Sequence, residues 1–202
     1  MNENISKDLL VSLYCDNKLS YKQISQQLSC TVYKVEYWIK KYNIQTRSRS
    51  EATYLSYNPN GDPFKIPIID SFAKARLFGF GIGLYWGEGN KLNKYSVKLG
   101  NTDPEMIKIF IKFLIEIFEI DTNKLKYSLQ IFSDVDIDEA SNFWTKELNI
   151  DIKQLGKITV TPARSIGNYR KKNKYGVLIV YFHNRKLRDI IVSMCRDSSV
   201  AV

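Results

Sequence analysis

The chain has 202 residues, with 30 Lys and Arg against 21 Asp and Glu and a formal net charge of +9. That length accommodates one domain or two small ones around a sizeable core, and the surplus of positive charge favours a polyanion, nucleic acid before an anionic membrane. No apolar stretch of spanning length runs free of charge or glycine, the scattered Cys15, Cys30 and Cys195 give neither a disulfide framework nor a zinc spacing, and the one histidine, His183, is read as structural, which leaves no histidine-based triad.

The first residues, MNENISKDLL, lack a basic stretch followed by an apolar one. No secretory signal is expected, and a reducing cytoplasm is the expected setting. Residues 6–44 read as short helices. The first runs from Ser6 to about Asn17, with Leu9, Leu10 and Leu13 inward. Ser20 and Gln23 form a capping box for the second, which carries Ile24 and Leu28 on one face. Thr31 caps the third, whose Val32, Val35, Trp38 and Ile39 point to a core while Lys34, Lys40 and Lys41 stay exposed. The span LSYKQISQQLSCTVYKVEYWIKKYNI resembles helix-turn-helix DNA readers. That resemblance makes Thr31–Tyr42 a recognition helix, with Thr31, Tyr33, Lys34 and Tyr37 toward the major groove and Lys40 and Lys41 on phosphates. A small helical protein-interaction module is the alternative. Arg47 and Arg49 lie in the short basic stretch Thr46–Ser50, read either as an arm along DNA or as a plain linker. The domain boundaries are set at 1–46, 47–69 for a linker punctuated by Pro59, Gly61, Pro63 and Pro67, and 70–202.

The run FGFGIGLYWGEG, Phe78 to Gly89, follows. Gly79, Gly83 and Gly87 recur every four residues and share one face of a helix. Each costs about 1 kcal/mol against alanine, a cost that makes sense where another backbone comes close. Glu88 falls at the helix C-terminus, where the macrodipole disfavours an anion unless a cation is near. The glycine spacing does not fit a dinucleotide fingerprint, and no Lys-Ser or Lys-Thr follows as in a P-loop. An ordinary buried helix with a glycine C-cap is the alternative.

This segment resembles the signature helix of the LAGLIDADG homing endonuclease family. The nine residues Gly81, Ile82, Gly83, Leu84, Tyr85, Trp86, Gly87, Glu88 and Gly89 lie on the motif, with Trp86 where the motif has its first Asp. The resemblance implies that two such helices pack by Gly79, Gly83 and Gly87, and that Glu88, with Gly87, holds a divalent metal at the scissile phosphates. One Glu88 and one such helix per chain imply a homodimer. Mg²⁺ suits one or two carboxylates with phosphate oxygens and water, and no small-molecule cofactor is expected.

The remainder alternates strands and helices. Tyr95, Val97 and Leu99 alternate with Lys94, Ser96 and Lys98. Asp103 and Pro104 open a helix with Ile107, Phe110, Ile111 and Leu114 apolar. Leu125, Tyr127, Leu129 and Ile131 alternate with Lys126, Ser128 and Gln130. Asp136 and Glu139 cap a helix with Ala140, Phe143, Trp144 and Leu148, and Ile158 and Val160 alternate with Lys157, Thr159 and Thr161. Tyr175–His183 is apolar on both sides and reads as a central strand; a last helix runs from about Asn184 to Cys195.

The expected fold is α+β, a LAGLIDADG-like saddle with helices on one face, preceded by an all-α helix-turn-helix domain. The polar strand face, with Lys126, Ser128, Lys157, Thr159 and Thr161, is expected on DNA, and Lys98 and Gln130 join Glu88 as catalytic candidates. Pro162–Lys174 reads as a basic hairpin loop offering Arg164, Arg170, Lys171, Lys172 and Lys174 to DNA. The expected activity is Mg²⁺-dependent, site-specific cleavage of double-stranded DNA; the alternatives are a non-cleaving transcriptional regulator and an RNA-binding maturase on the same scaffold.

Overall fold

The computed structural model describes residues 4–163 and 173–197. The chain forms two compact units, Met1–Asp62 and Pro63–Val202.

In the first unit, α1 (Lys7–Val11) begins at Ser6, whose hydroxyl accepts the Leu9 N–H, and runs into a wide π-helical turn over Ser12–Asp16. α2 (Tyr21–Gln27) opens on the capping box: Ser20 Oγ accepts the Gln23 N–H at 3.3 Å, and Gln23 Oε1 accepts the Ser20 N–H at 2.9 Å. α3 (Val32–Lys41) is capped by Thr31. Leu10, Leu13, Ile24, Val35, Trp38 and Ile39 close the core. Leu9 and Val32, expected inward, are each 41% exposed. Periodicity gives the face of a helix, but not how far a neighbour extends along it.

The stretch expected as a flexible arm and irregular linker contains a helix, α4 (Arg49–Tyr57). Ser48 Oγ accepts the Glu51 N–H at 3.2 Å and Glu51 Oε2 accepts the Ser48 N–H at 2.7 Å. These bonds to Ser48 hold the Glu51 carboxyl below its ordinary range. The Ser-x-x-Glu spacing was readable as a helix start. No residue of α4 is buried, so no apolar stripe accompanied it.

The second unit is α+β. In order it comprises α5 (Phe72–Glu88), β1 (Val97–Asn101), α6 (Pro104–Phe118), β2 (Lys126–Phe132), α7 (Ile137–Leu148), β3 (Leu155–Thr161), β4 (Val177–Phe182) and α8 (Arg185–Asp197). The four strands form an open sheet in the order β1-β4-β2-β3. β4 runs antiparallel to both β1 and β2, while β3 is parallel to β2. The parallel pair requires a crossover, and α7 supplies it. Helical side chains, among them Phe110, Phe113, Phe118, Trp144, Leu187 and Ile191, cover one face, onto which Val97, Leu99, Tyr127, Leu129, Ile131, Leu178, Val180 and Phe182 point.

Three strand expectations change. β1 starts at Val97, so Tyr95 is exposed and Ser96 buried, the reverse of the alternation. Val160 is half exposed because β3 is an edge strand. The segment from Pro162 to Lys174 is not a hairpin between paired strands, because β2 lies between β3 and β4. Arg164, Arg170, Lys171 and Lys172 lie outside the described residues.

α5 is held to α6 by an aromatic contact surface. The Tyr85 and Phe110 rings stack at 6.1 Å and 7°, and Phe78 meets Phe113 at 6.4 Å. Between them Gly81 sits so close that a Cβ there would fall 2.1 Å from the Phe113 ring. Gly89 caps the helix, and a Cβ on it would fall 2.3 Å from the Tyr85 carbonyl oxygen. Around Gly79, Gly83 and Gly87 a Cβ meets nothing within 4 Å. Gly81→Ala is therefore expected to lower stability by about 1–3 kcal/mol through overpacking. Gly79→Ala should raise it by up to about 1 kcal/mol through helix propensity. Urea unfolding of both variants at one fixed protein concentration in a Gly83→Leu background, which removes any contribution from a second copy on the outer glycine face, checks both; equal midpoints for the two variants would contradict this packing.

Candidate nucleic-acid interface

The face of the sheet opposite the helices carries the candidate DNA residues. Strand register places Lys98 of β1 and Lys126 of β2 on either side of Tyr181 of β4. Gly100 and Ser128 flank Ile179, and Gln130 stands opposite Val177 and beside Thr159. Thr161 pairs with Phe132; Lys157 is exposed where the β2–β3 register shifts. None of the four strands contains an Asp or Glu. Lys98, Lys126 and Lys157 form no ion pair among the described residues, so their charges are uncompensated on this surface. Lys174 differs: it pairs with Glu139 at 2.5 Å, which raises its pKa.

Glu88 is exposed at the end of α5, and its carboxylate makes no hydrogen bond or ion pair among the described residues. The turn after it is tied to β1 by an antiparallel bridge from Gly89 to Leu99 and by the Asn90 N–H donating to the Lys98 carbonyl at 2.8 Å. Glu88 thus lies beside the strand that carries Lys98. Gln130 is not brought to them: it is two strands and four residues away from Lys98, on the order of 15 Å by strand spacing and rise. The cation at this helix end is Lys91, whose ammonium donates to the Trp86 carbonyl. A basic residue just past a helix C-terminus is the sequence signal that could have found it. Arg188 of α8 in turn donates to the Lys91 carbonyl and pairs with Asp189 at 2.8 Å.

The Glu88 carboxylate and the Gly87 carbonyl, one of the last-turn carbonyls left without a helical partner, are hard oxygen donors of the kind Mg²⁺ takes. They fit as part of a site; the remaining ligands would be water, phosphate or a second copy. No group of three or more His, Cys, Asp or Glu suited to a metal occurs among the described residues.

Beneath this helix end, the Tyr85 hydroxyl and Arg188 Nε are both buried, and neither makes a well-formed hydrogen bond among the described residues. Burial raises the Tyr85 pKa, and the nearby guanidinium opposes the rise. Burial likewise pushes the Cys195 thiol up.

In the first unit, α3 presents Tyr33 and Tyr37, 84% and 56% exposed, four residues apart on one face. The Thr31 hydroxyl is committed to its cap. Lys34 is half-buried. Lys40 pairs with Glu36 at 2.7 Å, and Lys41 lies 4.4 Å from the Trp38 ring centroid. Arg49 is exposed in the first turn of α4. Arg47 is a different case from the one expected. Its guanidinium lies 4.0 Å over the Tyr14 ring and donates to the carbonyls of Lys18, at 2.7 Å, and Leu19, while its N–H donates to Tyr14 Oη at 2.9 Å. Its donors staple the unit rather than reach outward.

No family model, curated protein or solved structure matches the chain. No helix among the described residues is long and apolar enough to cross a membrane.

Tyr85→Phe removes a buried hydroxyl with no well-formed hydrogen bond among the described residues, so the melting temperature should stay level or rise; a large drop would show that the hydroxyl is held by the Arg188 guanidinium. Arg47→Ala should destabilise the first unit by about 1.5–3 kcal/mol, the range for bonds from a charged donor, read through Trp38 fluorescence in urea.

Proposed function

We propose that this chain is a homodimeric, divalent-metal-dependent endonuclease of double-stranded DNA, resembling the LAGLIDADG family, with its first unit as a helix-turn-helix reader. The observation that carries the reading is the outer face of α5. Gly79, Gly83 and Gly87 have open space above them, and Phe80 and Trp86 are exposed beside them. Glu88 stands uncommitted at the tip. A second α5 laid against that face about a two-fold axis brings two Glu88 side chains together. The acid-free sheet with its unpaired lysines supplies the phosphate contacts, and the exposed Tyr33 and Tyr37 with Lys41 on α3 read a flanking groove.

A metal held by Glu88 and Gly87 would activate water and stabilise the leaving oxygen. This chain's own part is to hold that carboxylate. The Gly89 cap, the Gly89–Leu99 bridge and Lys91 fix the turn beside β1, and Lys98, on that adjoining strand, is the candidate for a phosphate oxygen. A non-cleaving regulator on the same fold is the second reading. Its support is that the acid-free sheet and the exposed face of α3 serve duplex binding without any metal.

Incubation with a library of DNA duplexes and Mg²⁺ is expected to give cuts that vanish in Glu88→Gln while duplex affinity is retained. Specific footprints with no Glu88-dependent cut, and equal affinity in EDTA, would favour the regulator. Gly83→Leu should shift the solution mass from two chains to one; a wild-type chain that is monomeric at micromolar concentration would undercut the two-helix site.

A further inference from the structure

β4 is apolar on both faces. Leu178, Val180 and Phe182 enter the core, whereas Val177, Ile179 and Tyr181 line the open face and are only half-buried. A half-solvated sheet ordinarily carries polar residues on its outer face. Here an apolar stripe ends in a phenol ring, and no helix of the unit among the described residues packs over it. His183 meets the Tyr181 ring edge-on at 5.0 Å and 69°, which limits its rotation. Gly100 leaves the sheet low beside Ile179: a Cβ there would come within 3.1 Å of Ile179 Cγ1. Lys98 and Lys126 bracket Tyr181 in register, both without an acid partner.

Charge complementarity calls for an anionic chain, and the stripe calls for flat apolar faces between its charges. A closed duplex offers the phosphates but hides the base faces in its own stack. A single strand offers both at once. We propose that Tyr181 and Ile179 form a stacking platform for unpaired bases, with Lys98 and Lys126 holding the phosphates on either side. The preferred ligand of this face is single-stranded or locally opened nucleic acid. This rests on the nucleic-acid reading above but not on cleavage: it adds that the bases met by the sheet are unpaired.

The test uses the full chain in EDTA, with anisotropy of a labelled single-stranded oligonucleotide and of the same sequence closed as a hairpin duplex. A 2-aminopurine at successive positions of the single strand reports stacking. The expected result is firm binding of the single strand, beside whatever duplex binding the first unit contributes. Tyr181→Leu, which keeps the apolar packing, should lose roughly five- to a hundredfold of single-strand affinity. Tyr181→Phe should stay within about twofold, and the 2-aminopurine signal of one position should change only with an aromatic ring at 181. Tight duplex binding with weak single-strand binding overturns this inference and leaves the duplex endonuclease standing. Binding to neither form overturns both. Single-strand binding that is indifferent to Tyr181→Leu, or displaced by anionic vesicles of phosphatidylglycerol, places the ligand or the partner elsewhere and also overturns it.

Discussion

The approach of Gly81 to the Phe113 ring governs the second unit. A side chain at 81 would have to lift α5 from α6. With hydrogen there, the helix settles onto an aromatic surface of Phe78, Tyr85, Phe110 and Phe113. That seating decides which way the other glycines face. Gly79, Gly83 and Gly87 turn outward, Gly89 closes on the Tyr85 carbonyl, and Glu88 is left at the rim of β1. One close contact thus sets both the inner packing and the outer surface of the same helix.

The sheet imposes the second constraint. Three of its four strands carry a lysine and none a carboxylate, and in register the charges fall on the side away from the core. Burial on one face and uncompensated charge on the other come from the same two-residue alternation. Acidic residues are placed elsewhere, at helix caps such as Asp103 and Asp136 and in surface pairs with lysine. Charge is therefore segregated by secondary structure, which gives the unit a basic face without a basic core.

Much of the local structure was legible because its signals are local. Ser20 with Gln23, Thr31, and Asp103 with Pro104 mark helix starts where they fall. Leu125 to Ile131 alternate inward as read. The misses have physical causes. α4 buries no residue, so its Ser48–Glu51 cap stood without an apolar stripe. The stretch around Arg47 was read as an arm or a plain linker, and its tie to the first unit was not visible because its carbonyl partners at Lys18 and Leu19 are distant in sequence. Of the candidate site, Glu88 and Lys98 lie near one strand edge while Gln130 belongs to another part of the sheet. An alternation pattern shows which residues share a face but not how far apart they stand.

By itself, the sequence determined where helices begin, which strands alternate, and that positive charge would gather where carboxylates are missing. These follow from torsional preference, capping and side-chain period, which act over a few residues. Only the tertiary structure decided that Gly81 faces inward and Gly79, Gly83 and Gly87 outward, that β2 separates β3 from β4, and that among the described residues no helix covers the second apolar side of β4 around Tyr181. Those outcomes depend on which distant surfaces meet, and on whether a neighbouring atom leaves room for a Cβ.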